Sequence, residues 1–409
     1  MAAVDGYAEA DWVVLNTCTV TSNADDDLRQ AVRRVNRENP AAQILVTGCY
    51  AQRAPEEIAA LPGVTMVVGN SHKTRIPELL VNRPRLVQIS DKSYHGEIHV
   101  GDIFANHEFL AAPIEDASGD RSRPNLKIQD GCGNRCSFCI IPSVRGRSRS
   151  MPLNEVVKQV LALTESGYPE VVLSGINLGR WGREQGFAPA TRLVGLVRTL
   201  LEQTSVARLR LSSVEPMDFN TELLELMAGS NRIAKHVHAP LQSGSDTVLR
   251  RMHRKYRPNH YEERIRLAHR LMPEAGIGAD VMTGFPGETD AEFEESFRFI
   301  ESLPYSYLHV FTYSERPGTP AAAYADPVPI PVRKFRTKRL RDLSAAKNLV
   351  FRESLIGRAF SAVTLDGGAR ALTSNYVPVE LSRPVPAKQL VECLVTGVTA
   401  NGLTANLIS

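Results

Sequence analysis

The sequence contains no apolar run that approaches the roughly 20 residues needed for a membrane-spanning helix. Its first residues, MAAVDGYAEADWVVLN, also lack the basic region, the apolar stretch and the small-residue cleavage site of a secretory signal. These two absences argue against a membrane protein and against a secreted one. We therefore predict a cytoplasmic protein without a membrane partner.

Cysteine is scarce as well, and charge of neither sign dominates. Six cysteines in 409 residues are too few and too unevenly placed for a disulfide scaffold, so they are better interpreted as metal ligands or buried thiols. The formal net charge of +3 is too small to indicate a nucleic-acid partner by itself. The hydrophobic and charged fractions, 43% and 23%, are those of an ordinary soluble protein, and the length predicts two or three domains.

The N-terminal part of the chain alternates short apolar runs with helical patterns. Strands and helices are predicted in turn at residues 12–16, 25–39, 44–47, from Pro55, and at 64–68. This order is typical of an α/β fold with a doubly wound parallel sheet, which we assign to residues 1–83. Residues 84–123 show weak periodicity and many turn formers, and we predict a linker there.

A longer alternation occupies residues 124–345. Its six apolar runs are LKIQD, EVVLSG, ARLRLSS, KHVHAPLQ, IGADVMTGF and YLHVFTY. Helices are predicted between them at residues 153–165, 193–203, 261–272 and 291–303, the last opened by a capping box of Thr289 and Glu292. Strands that are each followed by a helix predict a partial (β/α) barrel, with its active site at the C-terminal ends of the strands.

The last part of the chain, residues 346–409, has a different pattern. After a basic stretch, the strand-like runs FSAVTL, QLVECLVTGV and LTANLI are separated by Gly, Pro and Asn. These runs predict a small antiparallel β barrel.

Three cysteines stand in one short loop. Cys132, Cys136 and Cys139 follow the first predicted barrel strand at spacing C-x3-C-x2-C, with the aromatic Phe138 before the last. Three thiolates can bind three irons of a 4Fe-4S cube and leave the fourth iron open to a chelating substrate. A zinc site is the alternative, but tetrahedral zinc normally needs a fourth Cys or His nearby, and the sequence supplies none there. The spacing therefore favours an iron–sulfur cluster.

This loop has the C-x3-C-x-aromatic-C signature of the radical S-adenosylmethionine (SAM) superfamily, which the chain resembles. Further ordered motifs resemble those of the tRNA methylthiotransferase family over nearly the whole chain: NTCTVT, VTGCYAQ, IIPSVRGRSRS, LSGIN, SSVEP, HAPLQSGSD, GFPGET and PGTPA. NTCTVT, VTGCYAQ and RRMHRKY are most similar to the branch that acts on threonylcarbamoyladenosine beside the anticodon. Other branches treat isopentenyladenosine or an aspartate of a ribosomal protein.

The resemblance implies both the reaction and its cofactors. SAM would chelate the open iron of the cluster held by Cys132, Cys136 and Cys139, and one electron would cleave SAM to methionine and a deoxyadenosyl radical. That radical would abstract hydrogen from an adenine carbon. The cofactors perform this step, and the protein binds and positions them. The implied reaction is transfer of a methylthio group to carbon 2 of threonylcarbamoyladenosine at position 37 of tRNA.

Five residues at predicted strand ends are candidates for holding SAM. Ser174 and Gly175 end the second barrel strand, where the superfamily usually has a Gly-rich turn that meets the methionine amino group. Glu215 and Gln242 end the third and fourth strands, and Asp280 lies near the fifth. Each could also be an ordinary cap or turn residue. Together, as successive strand ends of one barrel, they favour a SAM site.

Cys18 and Cys49 end the runs WVVLNTC and ILVTGC. Because the C-terminal ends of parallel strands open on one crevice, both thiols can converge there. The family holds a second, auxiliary 4Fe-4S cluster, the carrier of the transferred sulfur, with three N-terminal cysteines. By that resemblance the first cysteine, its strand and its helix are expected upstream, which favours a misplaced start codon over a weakly held cluster. The alternative is a pair of buried thiols, the interpretation we prefer for Cys393.

Three basic clusters are candidates for binding RNA phosphates, with solvated helix faces as the alternative. They are Arg145, Arg147 and Arg149; Arg250, Arg251, Arg254, Lys255 and Arg257; and Arg333, Lys334, Arg336, Lys338, Arg339 and Arg341. The C-terminal barrel is similar to the TRAM domain of the family, an RNA-binding module. The tRNA anticodon loop is the expected partner because its unpaired bases can be splayed out. The reaction also needs an electron donor and a sulfur source, which the sequence does not identify.

Other functions compete with this interpretation. One is a methylthiotransferase that acts on isopentenyladenosine of tRNA. Another is a non-enzymatic iron–sulfur or zinc protein that binds RNA through its basic clusters and tail. A third is a radical SAM enzyme that has lost sulfur insertion.

Overall fold

The structure of the chain is a computed structural model that describes residues 6–81, 95–105, 109, 122–188, 192–365 and 367–408. The chain divides into two compact units. One comprises Met1–Leu110, Gly131–Arg147 and Ser314–Ala323, and the other comprises Ala111–Asp130, Ser148–Tyr313 and Tyr324–Ser409. The cysteine loop therefore groups with the N-terminal residues, and the C-terminal barrel groups with the central strands.

Four parallel strands form the sheet of the first unit. They are hydrogen-bonded in the order β1 (Trp12–Thr17), β2 (Gln43–Gly48), β3 (Val64–Gly69) and β4 (Glu97–His99). β2 and β3 lie in the centre and are almost entirely buried, as expected for parallel strands covered on both faces. The helices of this unit are α1 (Ser22–Glu38), α2 (Cys49–Arg53), α3 (Pro55–Ala59), α4 (Ile76–Val81) and α5 (Ile141–Arg145). The predicted parallel α/β pattern is confirmed.

α1 shows how local sequence sets an element. It begins earlier than predicted because the side chain of Thr21 accepts a hydrogen bond from the N–H of Ala24 at 3.3 Å and caps the first turn. Leu28, Val32 and Val35 recur at helical spacing and are buried in the core with β1 and β2.

Part of the segment predicted as a linker, residues 84–123, is a strand. β4 pairs in parallel with β3 and places Ile98 beside Val67. Three residues at the edge of a sheet are too short to show a periodic pattern, which is why the sequence did not reveal them. Residues 84–94, 106–108 and 110–121 of this segment lie outside the described residues.

All six apolar runs of the central part are strands. They are β5 (Asn125–Asp130), β7 (Glu170–Gly175), β8 (Arg208–Leu211), β9 (His236–His238), β10 (Gly276–Thr283) and β11 (Tyr307–Thr312). A short strand, β6 (Arg149–Ser150), pairs antiparallel with β5. The strands form two sheets, β6-β5-β7-β8 and β9-β10-β11, and a parallel bridge joins Leu209 to Ile233 between them. This arrangement confirms the expected partial barrel.

Seven helices accompany these strands within the described residues. They are α6 (Leu153–Glu165), α7 (Leu193–Gln203), α8 (Thr221–Gly229), α9 (Asp246–Arg251), α10 (Pro258–Leu271), α11 (Asp290–Ser302) and α12 (Ile330–Glu353). α6 and α7 have the predicted bounds, and the capping box of Thr289 and Glu292 opens α11. In the part of the chain that the structure describes, no helix combines the length and the apolar content needed to cross a bilayer.

The C-terminal residues form a closed barrel of five strands. These are β12 (Ala359–Thr364), β13 (Arg370–Thr373), β14 (Pro378–Leu381), β15 (Leu390–Val398) and β16 (Leu403–Leu407), in the order β12-β13-β14-β16-β15. The predicted small β barrel is confirmed, with four of its five strand pairs antiparallel and one pair, β14 with β16, parallel. A closed ring with an odd number of strands cannot alternate direction at every step, so one parallel pair is unavoidable. Cys393 lies fully buried in this barrel, where burial raises the pKa of its thiol to about 11.

A buried ion cluster joins the C-terminal barrel to the central strands. Both Arg208 and Arg210 donate hydrogen bonds to the carboxylate of Glu170, whose side chain is fully buried. Burial works to raise the pKa of Glu170, but Arg210 and Arg208 outweigh it and hold that pKa well below its usual range. The same guanidiniums donate to four backbone carbonyls of the C-terminal barrel, those of Ser361, Leu372, Thr373 and Ser374.

Candidate functional site

The three-cysteine loop lies between β5 and α5. Cys132, Cys136 and Cys139 are all partly exposed, and none of the six cysteines of the chain forms a disulfide. The N–H of Cys139 donates to the carbonyl of Cys136 at 3.1 Å, and the N–H of Asn134 approaches the Sγ of Cys132 at 3.4 Å. The loop is thus folded back on itself by its own backbone, with its thiols accessible.

A glycine makes the close return of this loop possible. Gly131 has φ +71, and a Cβ at that position would lie 2.0 Å from the carbonyl oxygen of Arg147. The N–H of Cys132 donates to the carbonyl of Gly146 at 3.1 Å across the same gap. Three accessible thiols on one constrained loop, with one N–H donor aimed at sulfur, fit a 4Fe-4S cluster.

Cys18 and Cys49 follow neighbouring strands of the first sheet. β1 and β2 pair in register to their last residues, Thr17 and Gly48, and each cysteine is the next residue of its strand. Both cysteines therefore lie at the C-terminal edge of the sheet, each directly after its strand. Cys18 is exposed, whereas Cys49 is buried against Ile140 and Val144, which follow the cluster loop. These donors fit part of a second iron–sulfur site.

Ser174 and Gly175 are the last two residues of β7, as expected. A Cβ on Gly175 would lie 2.8 Å from the Cβ of Gln129, so the strand end packs closely against the end of β5. The Oε1 of Gln129 accepts a hydrogen bond from the N–H of Asn177 at 2.6 Å, which fixes the turn after β7. Sequence reasoning missed Gln129, although it lies at the end of a strand that precedes the cysteine loop.

Glu215 and Gln242 lie beyond the strand ends rather than on them, which corrects their predicted placement. β8 ends at Leu211 and β9 at His238, so each residue follows its strand by four positions. Gln242 is pinned against β10, because its N–H donates to the carbonyl of Asp280 and its own carbonyl accepts from Met282, both at 2.8 Å. Its backbone has φ 65, a left-handed conformation that costs free energy for a residue with a Cβ.

The side chain of Gln242 is a candidate ligand group for a second reason. The residue is 8% exposed, and its Oε1 is a buried acceptor without a hydrogen-bond partner among the described residues. A buried amide oxygen of this kind costs free energy unless something donates to it. The left-handed backbone and the unsatisfied acceptor together make Gln242 a candidate ligand-binding residue.

Asp280 lies within β10, not at its end. Its carboxylate pairs with the Nε2 of His238 at 3.1 Å and the Nδ1 of His309 at 3.3 Å. Burial works to raise the pKa of Asp280, but hydrogen bonds from the two histidines outweigh it and hold the pKa well below its usual range. One donor atom from each of these three residues lies within 4.8 Å of the others, so the group could share a ligand.

Sequence reasoning also missed the two histidines. The register of the sheet places His309 directly beside Asp280, and His238 beside Gly278, two residues before Asp280. Residues at alternate positions lie on the same face of a strand. His238 and His309 belong to the runs HVH and LHV, but only the pairing of the strands shows that both face Asp280. Tyr307 completes the row, with its hydroxyl 2.9 Å from the Nδ1 of His238.

Three of the predicted RNA-binding arginines are buried inside the protein. The prediction was wrong for Arg254, which is 7% exposed and donates to Glu215, and for Arg336, which is 3% exposed and pairs with Glu288. Arg149 is also buried. The exposed members of the clusters remain candidates for phosphate contact: Arg147, Arg250, Lys255, Lys334, Lys338 and Arg341.

The comparison with known proteins agrees with this geometry. Residues 126–300 match the family model of the Radical SAM superfamily, and residues 1–69 match that of the uncharacterized protein family UPF0004. The threonylcarbamoyladenosine tRNA methylthiotransferase MtaB of Aquifex aeolicus (strain VF5) is 36% identical over 386 residues, which cover 94% of this chain and 91% of the relative. The chain belongs to the radical SAM methylthiotransferases.

A second relative of this methylthiotransferase carries the same name. The protein of Bacillus subtilis (strain 168) is 42% identical over 336 residues, which cover 82% of this chain and 72% of the relative. Among solved structures, the radical SAM methyltransferase TsrM from Kitasatospora setae, with cobalamin and a 4Fe-4S cluster bound, has a TM-score of 0.57. The aligned region covers 77% of this chain and 67% of the TsrM chain, with 16% sequence identity. This similarity shows the fold alone.

Family membership makes this methylthiotransferase a transferase enzyme. The superfamily implies a 4Fe-4S cluster and SAM, and the loop of Cys132, Cys136 and Cys139 lies within the residues that match it. The two N-terminal cysteines, Cys18 and Cys49, lie within the other matched segment.

Proposed function

We propose that the protein transfers a methylthio group to carbon 2 of threonylcarbamoyladenosine at position 37 of tRNA, in the cytoplasm. The observation that carries this proposal is the similarity to relatives named for that nucleoside, which extends over 94% of the chain. The alternative substrate, isopentenyladenosine, has less support, although a relative named for dimethylallyladenosine from Frankia casuarinae (strain DSM 45818 / CECT 9043 / HFP020203 / CcI3) is also 36% identical.

Cys132, Cys136 and Cys139 are proposed to hold the 4Fe-4S cluster that binds SAM. When bound, this pair of cofactors supplies a deoxyadenosyl radical that can remove hydrogen from an unreactive carbon. The protein contributes the three thiolates, a loop closed by the contact of Cys132 with Gly146, and the N–H of Asn134 near sulfur. These features hold the thiolates in place on a partly exposed loop.

Ser174, Gly175, Glu215, Gln242 and Asp280 are proposed to bind SAM. Support comes from the arrangement around Gln242, whose backbone is hydrogen-bonded to Asp280 and whose Oε1 is a buried acceptor that a ligand N–H or O–H could satisfy. Arg254 donates a hydrogen bond to the carboxylate of Glu215, and the other acceptor positions of that carboxylate can take hydrogen bonds from hydroxyl or ammonium groups.

Cys18 and Cys49 are proposed to ligate a second 4Fe-4S cluster, which carries the sulfur to be transferred. Their adjacent positions at the ends of β1 and β2 support this role, because two thiols from one sheet edge can bind the same metal centre. The tRNA anticodon loop is the proposed partner. Arg147 and Lys255 are exposed basic residues that can meet its phosphates.

Nucleoside mass spectrometry of tRNA tests the proposed reaction. The full chain is expressed in a bacterial strain from which the methylthiotransferases for both adenosine derivatives have been deleted, and its Cys132→Ala variant serves as the matched control. We expect methylthio-threonylcarbamoyladenosine to appear with the full chain and not with the control. Methylthio-isopentenyladenosine as the only product would overturn the proposed substrate, and tRNA without either product would overturn the proposed reaction.

A further inference from the structure

The thiol of Cys49 receives a hydrogen bond from an arginine of the cluster loop region. The Nε of Arg145 lies 3.0 Å from the Sγ of Cys49, which is only 3% exposed. The Nδ2 of Asn70 lies 3.6 Å from the same sulfur, within the range of a weak N–H···S contact. A nearly buried sulfur therefore faces a guanidinium and an amide.

The position of Arg145 is set by short-range structure. It is the last residue of α5, which ends there because Gly146 takes φ +73. Asn70 also donates to the carbonyl of Val144 at 2.8 Å, which ties the end of α5 to the end of β3. Ile140 and Val144 pack on Cys49 from the same segment. The contact between Arg145 and Cys49 is thus supported on two sides, unlike that of a solvated surface arginine.

A guanidinium beside a ligand sulfur has a defined effect on an iron–sulfur cluster. The reduced cluster carries one more negative charge than the oxidised one, so a nearby positive charge and an N–H donor favour the reduced form. Hydrogen bonds to the sulfurs and local net charge are among the factors that set the reduction potential of such clusters. A phosphate-binding arginine would instead be expected to present its guanidinium to solvent.

We propose that Arg145 is a positioning residue for Cys49 and raises the reduction potential of the second cluster by its charge and its hydrogen bond to sulfur. This inference rests on the proposed second cluster. Of the first basic cluster, Arg145 would then act at the second iron–sulfur cluster, whereas Arg147 would remain available to contact RNA.

The experiment isolates the second cluster in the full chain. Cys132, Cys136 and Cys139 are replaced together by Ala, the protein is reconstituted anaerobically, and the midpoint potential of the remaining cluster is measured by a redox titration followed by electron paramagnetic resonance. In this background Arg145→Ala is expected to make one-electron reduction at least tenfold less favourable, a negative shift of about 59 mV. The control is Arg37→Ala, which removes an exposed arginine from the last turn of α1.

The outcomes separate this inference from the proposal beneath it. If the background variant binds no cluster, the proposed second cluster fails, whatever Arg145 does. If Arg145→Ala holds its cluster at the potential of the control, the inference is overturned and Arg145 is only structural. If circular dichroism shows that Arg145→Ala is unfolded, Arg145→Gln is measured instead, because glutamine keeps an N–H donor but has no charge. An unchanged midpoint potential of the second cluster in Arg145→Gln would overturn the inference.

Discussion

Arg254 donates a hydrogen bond to the carboxylate of Glu215 from a side chain that is only 5% exposed. Arg254 also contacts the hydroxyl of Tyr256, which in turn donates to the carbonyls of Pro240 and Leu241 just before Gln242. One arginine therefore connects two of the proposed SAM-binding residues.

The first prediction separates this role from RNA binding. Arg254→Ala should weaken SAM binding about tenfold, because Glu215 loses the charge that orients it, and should leave the salt dependence of tRNA binding unchanged. Lys255→Ala, at the exposed neighbouring position, should leave SAM binding unchanged and flatten the salt dependence of tRNA binding. Equilibrium binding of each ligand at several salt concentrations provides the comparison. An altered salt slope in Arg254→Ala with normal SAM binding would restore the interpretation of Arg254 as a phosphate contact.

The second prediction concerns the cysteine loop. Replacing Cys132, Cys136 or Cys139 singly with Ala should abolish the reductive cleavage of SAM, because each thiolate is expected to hold one iron. Deoxyadenosine formed in the presence of dithionite is the measurement. Cys393→Ala is the matched control, since that thiol is buried in the C-terminal barrel and should be dispensable for cleavage. Near-normal deoxyadenosine from any one loop variant would refute the assignment of that cysteine.

The third prediction uses pH. Burial works to raise the pKa of Glu292, but hydrogen bonds from Arg251, the N–H of Thr289 and Thr247 outweigh it and lower the pKa to about 2. A carboxylate whose pKa is lower in the folded state stabilises the protein above its unfolded pKa of about 4.3, and this stability is lost as the pH falls from about 5 to about 2. Glu292→Gln should therefore lose about 1 kcal/mol at pH 7, progressively less as the pH approaches 2, and nothing well below pH 2.

Urea unfolding at a series of pH values checks this prediction. Gln can still accept the capping hydrogen bond of α11, so the substitution removes mainly the charge. The control is Glu222→Gln, in an exposed pair with Arg198, which should show little pH-dependent loss. A constant difference between wild type and Glu292→Gln across this range would contradict the pKa argument.

The fourth prediction concerns the buried ion cluster. Glu170→Gln should destabilise the protein by about 3–5 kcal/mol, because Arg208 and Arg210 would remain buried with no carboxylate between them. The urea midpoint of the transition gives the measurement. Asp342→Asn, in an exposed pair with Lys338, should change it by less than about 1 kcal/mol. Equal effects of the two substitutions would show that the cluster adds no more than a surface pair.

Local features were predictable from the sequence because they depend on neighbours along the chain. The bounds of α6 and α7, the capping box of Thr289 and Glu292 and the three-cysteine loop are all set within a few residues. The six central strands were predictable for a similar reason, since each is an apolar run bounded by polar or turn residues. β4 escaped detection because three edge residues carry no period.

The sequence by itself determined the family motifs, the order of strands and helices, and the positions of all six cysteines. Only the tertiary structure decided what the charged side chains face. Arg145, Arg254 and Arg336 look alike in basic runs, yet they contact Cys49, Glu215 and Glu288 respectively. Each of these contacts joins residues at least 39 positions apart in the chain. A one-dimensional pattern reports the charge of a residue, whereas its partner is set by strand register and helix packing, which bring distant parts of the chain together.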